Sequence, residues 1–164
     1  MTLNESIKTK HYNTKKGFTL VELVVVIAIL GILSAIAIPV VLNIIQSATD
    51  SAQEETAHSI SEACKNYYTG VLSGLINSTN HGSSTQSNLP AAKTTRTARE
   101  NAANSATVIN ACEYAGLVEV VSKLQSNDTS FSYDSSGDVH RSDNKNVGTL
   151  TYISSTTKLG DMYS

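Results

Sequence analysis

The sequence predicts an α+β protein in which one long N-terminal helix is followed by a second helix and a small antiparallel β-sheet. Three patterns predict this order. Residues 20–42 are almost entirely aliphatic, residues 43–69 keep a helical spacing of apolar side chains, and residues 130–154 alternate in polarity around turn signals. A length of 164 residues suits one folded domain with an appendage.

The aliphatic run is long enough to cross a membrane. Its residues are all Ala, Val, Ile or Leu except Glu22, Gly31, Ser34 and Pro39, and about 20 such residues span a bilayer core as a helix. Four lysines precede the run, whereas the chain after residue 17 holds 8 basic and 13 acidic residues. Because basic flanks stay on the cytoplasmic side, we expect a cytoplasmic N-terminus and an exported C-terminal domain.

A narrow stripe of small and apolar side chains continues the helical period beyond residue 42. Its members are Ile45, Ala48, Ala52, Thr56, Ile60, Ala63, Tyr67 and Val71. Such a stripe is typical of an amphipathic helix. We therefore expect one helix over about 18–69, bent near Pro39 and ended by Gly70 or Gly74, whose striped half packs on the second helix and the sheet.

The rest of the chain predicts shorter elements. Residues 77–107 form a polar connector rich in Ser, Thr and Asn, and a helical pattern covers about 98–115 before Gly116. Residues 117–124 are apolar and fit a helix or an extended chain. Strands are predicted at 130–133, 138–141 and 147–154, with a turn at 135–137.

A specific motif lies where the basic leader meets the apolar run. It reads Lys15-Lys16-Gly17-Phe18-Thr19-Leu20-Val21-Glu22. Over residues 15–42 the chain resembles the class III signal sequence of type IV pilins, and its layout resembles a pilin-like fold. The resemblance implies cleavage between Gly17 and Phe18 by prepilin peptidase and N-methylation of the new Phe18 amine. Lys15 and Lys16 would hold the cut site at the cytoplasmic face.

Glu22 places a carboxylate in an apolar segment, which costs about 2.5–3.5 kcal/mol at a bilayer centre and less near its edge. Cleavage after Gly17 would release an amine four residues away. The resemblance implies that Phe18 and Glu22 act in subunit assembly, where the carboxylate pairs with the amine of the same or a neighbouring subunit. For the stretch between Gly31 and Pro39 it implies a helix that can lose order in the filament.

The resemblance divides the chain into a removed leader (1–17), a membrane and filament-core helix (18–42) and an extracytoplasmic globular domain (43–164). It implies a structural subunit, not an enzyme, of a surface filament for adhesion, motility or aggregation. Before assembly the protein would be a single-pass membrane protein; afterwards it would be extracellular. Its partners would be further pilin copies, prepilin peptidase, the inner-membrane platform and the assembly ATPase. A pseudopilin of a type II secretion or DNA-uptake system fits the same features.

Three other interpretations explain less of the sequence. A secretory signal peptide could end at Ala35-Ile36-Ala37, and a plain anchor would explain the hydropathy, but neither accounts for Gly17-Phe18 together with Glu22. A tethered enzyme or binding domain would need converging polar groups. The histidines of the exported part are isolated in the sequence, and no catalytic, metal or cofactor motif occurs. The net charge of -2 gives no indication of nucleic-acid binding.

Cys64 and Cys112 are the two cysteines of the chain, and their spacing fits no zinc or redox motif. In an oxidising compartment they could form one disulfide that closes a loop of about 50 residues. They could equally be two small, buried apolar residues. The sequence leaves both alternatives open.

Overall fold

The computed structural model describes residues 17–163. Its elements in this part of the chain are the helices α1 (Leu20–Ser73), α2 (Arg96–Ser105), α3 (Val108–Tyr114), α4 (Val118–Gln125) and α5 (Leu159–Tyr163), and the strands β1 (Phe131–Tyr133), β2 (Val139–Arg141) and β3 (Thr151–Tyr152). The predicted α+β class is confirmed. Most of the predicted leader, including Lys15 and Lys16, lies outside the described residues.

The chain divides into two compact units, Met1–Gln46 and Ser47–Ser164. In the first unit, the residues from Leu20 onward form the start of α1, and the large apolar side chains from Leu20 to Ile45 are all exposed. This stretch is long and apolar enough to cross a membrane by length and composition. Its own unit therefore supplies no core for these side chains among the described residues.

The second unit has one apolar core, and α1 contributes a buried face to it. That face consists of Ala57, Ile60, Cys64, Tyr67 and Val71, at alternating steps of three and four residues. The other elements contribute Ala103, Val108, Ala111, Leu124, Phe131, Val139, Ile153, Leu159 and Met162. Packing of the striped half is confirmed from Ile60 onward. It is wrong for Ala48 and Ala52, which are exposed because the core of this unit begins at Ala57. It is also wrong for Ile45, which is exposed and belongs to the first unit.

The three strands form a small antiparallel sheet in the order β2-β1-β3. Ser132 faces His140 on one side and Tyr152 on the other. The turn between β1 and β2 is fixed by Asp134, whose Oδ1 accepts hydrogen bonds from the backbone of Ser136 and Asp138 at 2.8 and 3.0 Å. The third predicted strand was too long, because only Thr151–Tyr152 pairs with β1.

The single helix predicted over 98–115 is two helices, α2 and α3. Thr107 begins α3 through a capping box with Asn110, each side chain bonding the backbone of the other residue. The C-terminal segment passes the break, where Leu159 N donates to Ala106 O at 2.7 Å. These contacts with a distant part of the chain satisfy the backbone groups that a break in a helix leaves unpaired.

Helix α1 ends at Ser73, four residues later than predicted, and Gly74 follows it with a φ of +80°. Gly70 is not an end signal. It is buried within the helix, and a Cβ there would lie 2.6 Å from Cδ1 of Ile76. The last turn is also held by Arg99 of α2, whose Nε donates to Leu72 O at 2.8 Å. The residues 117–124 that the sequence left undecided lie mostly in α4.

Candidate processing and assembly site

The peptide bond between Gly17 and Phe18 lies in exposed, non-helical chain just before α1. Gly17, Phe18 and Thr19 have no helical assignment, and α1 begins at Leu20. The Phe18 side chain is 92% exposed. A Cβ added at Gly17 would meet no described atom within 4 Å. Accessible, non-helical backbone of this kind is what a protease needs at its cleft.

Thr19 and Glu22 form a capping box at the start of α1. The Glu22 carboxylate accepts hydrogen bonds at Oε2 from the backbone N–H of Thr19, at 2.8 Å, and from its hydroxyl, at 2.9 Å. The Glu22 N–H in turn donates to the Thr19 hydroxyl at 3.2 Å. Two of the backbone donors that every helix leaves unpaired at its start are thereby satisfied. The negative charge also lies at the helix end that favours it.

The capping role of Thr19 was not predicted from the sequence, although the sequence contains a signal for it. A Ser or Thr followed three residues later by Glu, just ahead of an apolar run, is the capping-box signature. Thr19-Leu20-Val21-Glu22 fits this signature. Glu22 is therefore the N3 residue of the helix as well as a charge within an apolar segment.

Comparison with known families identifies this segment. Residues 12–38 match the model of the prokaryotic N-terminal methylation motif. No solved structure matches the chain. The chain matches a type IV pilin-like prepilin. The matched region covers Gly17, Phe18, Thr19 and Glu22 together with most of the apolar run, up to residue 38. It supports membrane anchoring of the pilin-like chain through that helix.

Gly31 and Pro39, the predicted weak points of the pilin-like helix, both lie inside α1. A Cβ at Gly31 would meet no described atom within 4 Å. Pro39 has no N–H and cannot donate the usual bond to the carbonyl four residues earlier. The helical assignment nevertheless runs through both positions without a break. A bend at these residues stays a prediction.

The two cysteines of the pilin-like protein are free thiols in the core, on α1 and α3. The edge-to-face contact between the rings of Tyr67 and Tyr114, at 5.5 Å, joins the same two helices. Burial and then the neighbouring Cys112 raise the pKa of Cys64 well above its usual range. Burial and then Glu113 raise the pKa of Cys112 to about 12. At neutral pH both groups are uncharged, which makes them poor nucleophiles.

Acidic and histidine side chains meet in one groove of the second unit, with a volume of about 650 Å³. Its lining includes Glu54, Glu55, His58, Asp138 and His140. His140 is engaged with Asp134, their Nε2 and Oδ2 atoms being 3.1 Å apart. Within residues 17–163, no group of three His, Cys, Asp or Glu side chains is placed to hold a metal ion.

Proposed function

We propose that this chain is a structural subunit of a type IV pilus-like surface filament that polymerises through its N-terminal helix. The observation that carries the proposal is the methylation motif at residues 12–38, which runs directly into a helix whose apolar side chains are exposed. Such a surface is unfavourable in water. It suits a bilayer before assembly and the interior of a helical filament afterwards.

Processing is the first step of the proposed function. Prepilin peptidase hydrolyses the bond between Gly17 and Phe18, and the new Phe18 amine is N-methylated. The exposed, non-helical chain at this bond supports the assignment. A Cβ at Gly17 would meet no described atom, so packing among the described residues gives no reason for a glycine at this position. Recognition by the peptidase supplies such a reason. Lys15 and Lys16 keep the bond at the cytoplasmic face.

Assembly is the second step. Residues 1–17 are removed, residues 18–42 form the membrane and filament-core helix, and residues 43–164 form an extracytoplasmic domain. The Glu22 carboxylate pairs with a Phe18 amine as each subunit enters the filament. In a low-dielectric interior a charge-assisted hydrogen bond of this kind is strong, and an unpaired charge is costly. The pairing therefore fixes the axial register of the incoming subunit.

The partners of this function are other pilin copies, prepilin peptidase, the inner-membrane platform and the assembly ATPase. The role is structural, with no catalytic residue or cofactor assigned, and the filament serves adhesion, motility or aggregation. A pseudopilin uses the same processing and helix. The two roles differ in whether a long filament leaves the cell.

Electron microscopy of filaments sheared from cells, combined with mass spectrometry of their subunits, tests the proposal. We expect long filaments whose subunits begin with N-methylated Phe18. Mature subunit without sheared filaments would favour the pseudopilin role. A mature terminus at Ile38, after Ala35-Ile36-Ala37, would replace the pilin assignment by that of a secreted protein.

A further inference from the structure

The Glu22 carboxylate is already hydrogen-bonded before any amine is released. One oxygen, Oε2, accepts both the backbone N–H and the hydroxyl of Thr19. The same hydroxyl accepts the N–H of Glu22 at 3.2 Å. In an apolar segment these bonds lower the cost of carrying the charge, because a carboxylate without hydrogen-bond partners is strongly disfavoured outside water.

The bonds also fix where the carboxylate lies. Oε2 is 2.8 Å from the backbone nitrogen of Thr19, and the amine that cleavage would release belongs to Phe18, the preceding residue. Without the hydroxyl, the backbone N–H of Thr19 would be the one remaining donor of the two, and the Glu22 side chain would take other rotamers that point away from the helix start more often. The hydroxyl thus holds the negative charge at the level of the chain where the positive charge appears.

We propose that Thr19 is a positioning residue for filament assembly: its hydroxyl holds the Glu22 carboxylate at the helix start, where the carboxylate receives a Phe18 amine. This inference rests on the proposed cleavage after Gly17 and the proposed pairing of Glu22. In the proposed role Thr19 acts through Glu22 and not on the peptidase or the amine directly. It acts by keeping its partner in one orientation, so that less freedom is lost when the ion pair forms.

An ordinary helix cap would make a different prediction. Loss of a cap weakens the first turn of a helix regardless of what the N3 side chain does later. Here the same hydroxyl bonds a side chain with a second task. Three variants distinguish the two roles. One removes the Thr19 hydroxyl, one keeps a hydroxyl there on a smaller side chain, and one removes a different hydroxyl of the same apolar helix.

The test uses the full-length protein in its own cells. Thr19→Val removes the hydroxyl and keeps the size and branching of the side chain. Thr19→Ser keeps the hydroxyl. Ser34→Ala is the matched control, since Ser34 donates its hydroxyl to Leu30 O at 2.6 Å in the same exposed apolar helix, away from Glu22. Two quantities are measured for each: the amount of mature subunit beginning at Phe18, and the yield of sheared filaments.

We expect Thr19→Val to leave the amount of mature subunit unchanged and to lower filament yield by about tenfold or more, since hydrogen bonds to charged groups are stronger than neutral ones. The filament yields of Thr19→Ser and Ser34→Ala should both stay within about twofold of the wild-type yield. Rescue by Ser identifies the hydroxyl as the cause.

Three results would overturn the inference while leaving the proposed function intact. They are normal filament yield from Thr19→Val, an equal loss from Thr19→Ser, and accumulation of uncleaved Thr19→Val precursor, which would make Thr19 a residue that the peptidase reads. Failure of the proposed function looks different. Wild-type cells would then lack either the Phe18 terminus or the filaments, and the inference would fall with it.

Discussion

The two halves of α1 belong to one helix, but their apolar side chains lie in opposite environments. From Leu20 to Ile45 the large apolar side chains point in every direction and all are exposed. From Ala57 to Val71 apolar side chains occupy one face, and that face is buried against the rest of its unit. A helix that is apolar all round needs lipid or other protein on every side, whereas a helix with one apolar stripe needs a partner on one side.

The difference fits the proposed use of one chain in a membrane, in a filament and in water. The stripe of the second half is packed within its own unit, as in the contact of Tyr67 with Tyr114 at 5.5 Å. Beside the stripe, Tyr68 donates its hydroxyl to Asn104 Oδ1 at 2.8 Å. In the first half the large apolar side chains are exposed, and the hydrogen bonds from Thr19 to Glu22 lie within the first turn of the helix. The first half is therefore the part of α1 that the proposed function places against other molecules.

The largest expected effect comes from removing the charge in the apolar half. We expect Glu22→Ala to leave membrane insertion and cleavage intact, because the segment becomes more apolar, and to abolish most filament formation. The Phe18 amine would then enter the filament interior without a partner, which costs several kcal/mol. Every ~1.4 kcal/mol of this cost lowers the equilibrium constant for subunit addition about tenfold. The measurement is sheared filaments against cell-bound mature subunit. Wild-type yield from this variant would exclude the charge-pairing mechanism.

Removing the apolar half altogether tests whether the second half needs it. We expect a truncated protein that starts at Gln46 to be soluble and helical by circular dichroism, since residues from Ser47 onward form a compact unit with its own core. In that protein Ile60→Ala should lower the free energy of unfolding by about 2–5 kcal/mol, because Ile60 is fully buried.

Leu75→Ala is the control for this cavity variant. Leu75 lies just beyond the end of α1 and is 70% exposed, so its truncation should change the free energy of unfolding by no more than about 0.5 kcal/mol. An unfolded truncated protein would contradict the idea that the buried stripe is sufficient. So would similar losses from Ile60→Ala and Leu75→Ala.

The parts of the fold that follow from local patterns could be predicted from the sequence. The length of the aliphatic run, the stripe around Ile60 and the alternation at residues 131–133 each depend on nearby residues alone. The break between α2 and α3 could not be predicted in this way. It depends on pairing with the C-terminal segment, as in the bond from Leu159 N to Ala106 O, and helix α5 also went unpredicted.

The same distinction between local patterns and distant contacts applies to the candidate site and to the end of α1. Gly17, Phe18 and Glu22 were predicted from their order in the chain, because the proposed processing reads a linear motif, and their roles stay predictions. The bond between Thr19 and Glu22 also follows from local sequence and was missed only because the motif was read as a processing signal. By contrast, Gly70 was misread as a helix end. Its close approach to Ile76 depends on how the chain folds back after α1.

Acid should weaken the attachment of the β1–β2 turn to the second half of α1. Asp138 accepts hydrogen bonds from Lys65 and Ser61. The bond from Lys65 comes first among the causes that hold the pKa of Asp138 below the ordinary 3.8. A lowered pKa in the folded state means that this contribution is present above the unfolded value of 3.8 and is lost as pH falls below it. Because both side chains are about half exposed, the effect is at most about 1 kcal/mol.

Asp138→Asn should therefore lower the stability of the truncated protein at pH 7 by about 0.5–1 kcal/mol and make its unfolding less dependent on pH below 4. Glu62→Gln removes the same charge from the exposed side of α1 and should preserve the wild-type dependence on acid. Thermal unfolding between pH 7 and pH 3 measures both. An unchanged acid dependence in Asp138→Asn would assign the effect to other carboxylates.

The smallest expected effect is that of a reductant on the two cysteines, and it decides whether packing alone holds the second half of α1. Both thiols are free and buried in the structure, so we expect a reductant to leave the thermal unfolding of the truncated protein unchanged. A disulfide between Cys64 and Cys112 would close a loop of about 50 residues and add ~4 kcal/mol in the chain-entropy model, and its reduction would lower the unfolding temperature by many degrees. Mass spectrometry after alkylation without reductant provides the independent measurement, because free thiols of the unfolded protein gain two alkyl groups and a bridged pair gains none.

Cys112→Ser separates the contribution of packing from that of a covalent bond. If the thiols are free, this variant places a hydroxyl in the core and should lower the free energy of unfolding by roughly 1–3 kcal/mol, with or without reductant. A loss that appears only under oxidising conditions would instead mean that a covalent bond, rather than the buried stripe, distinguishes the second half of the helix from the first.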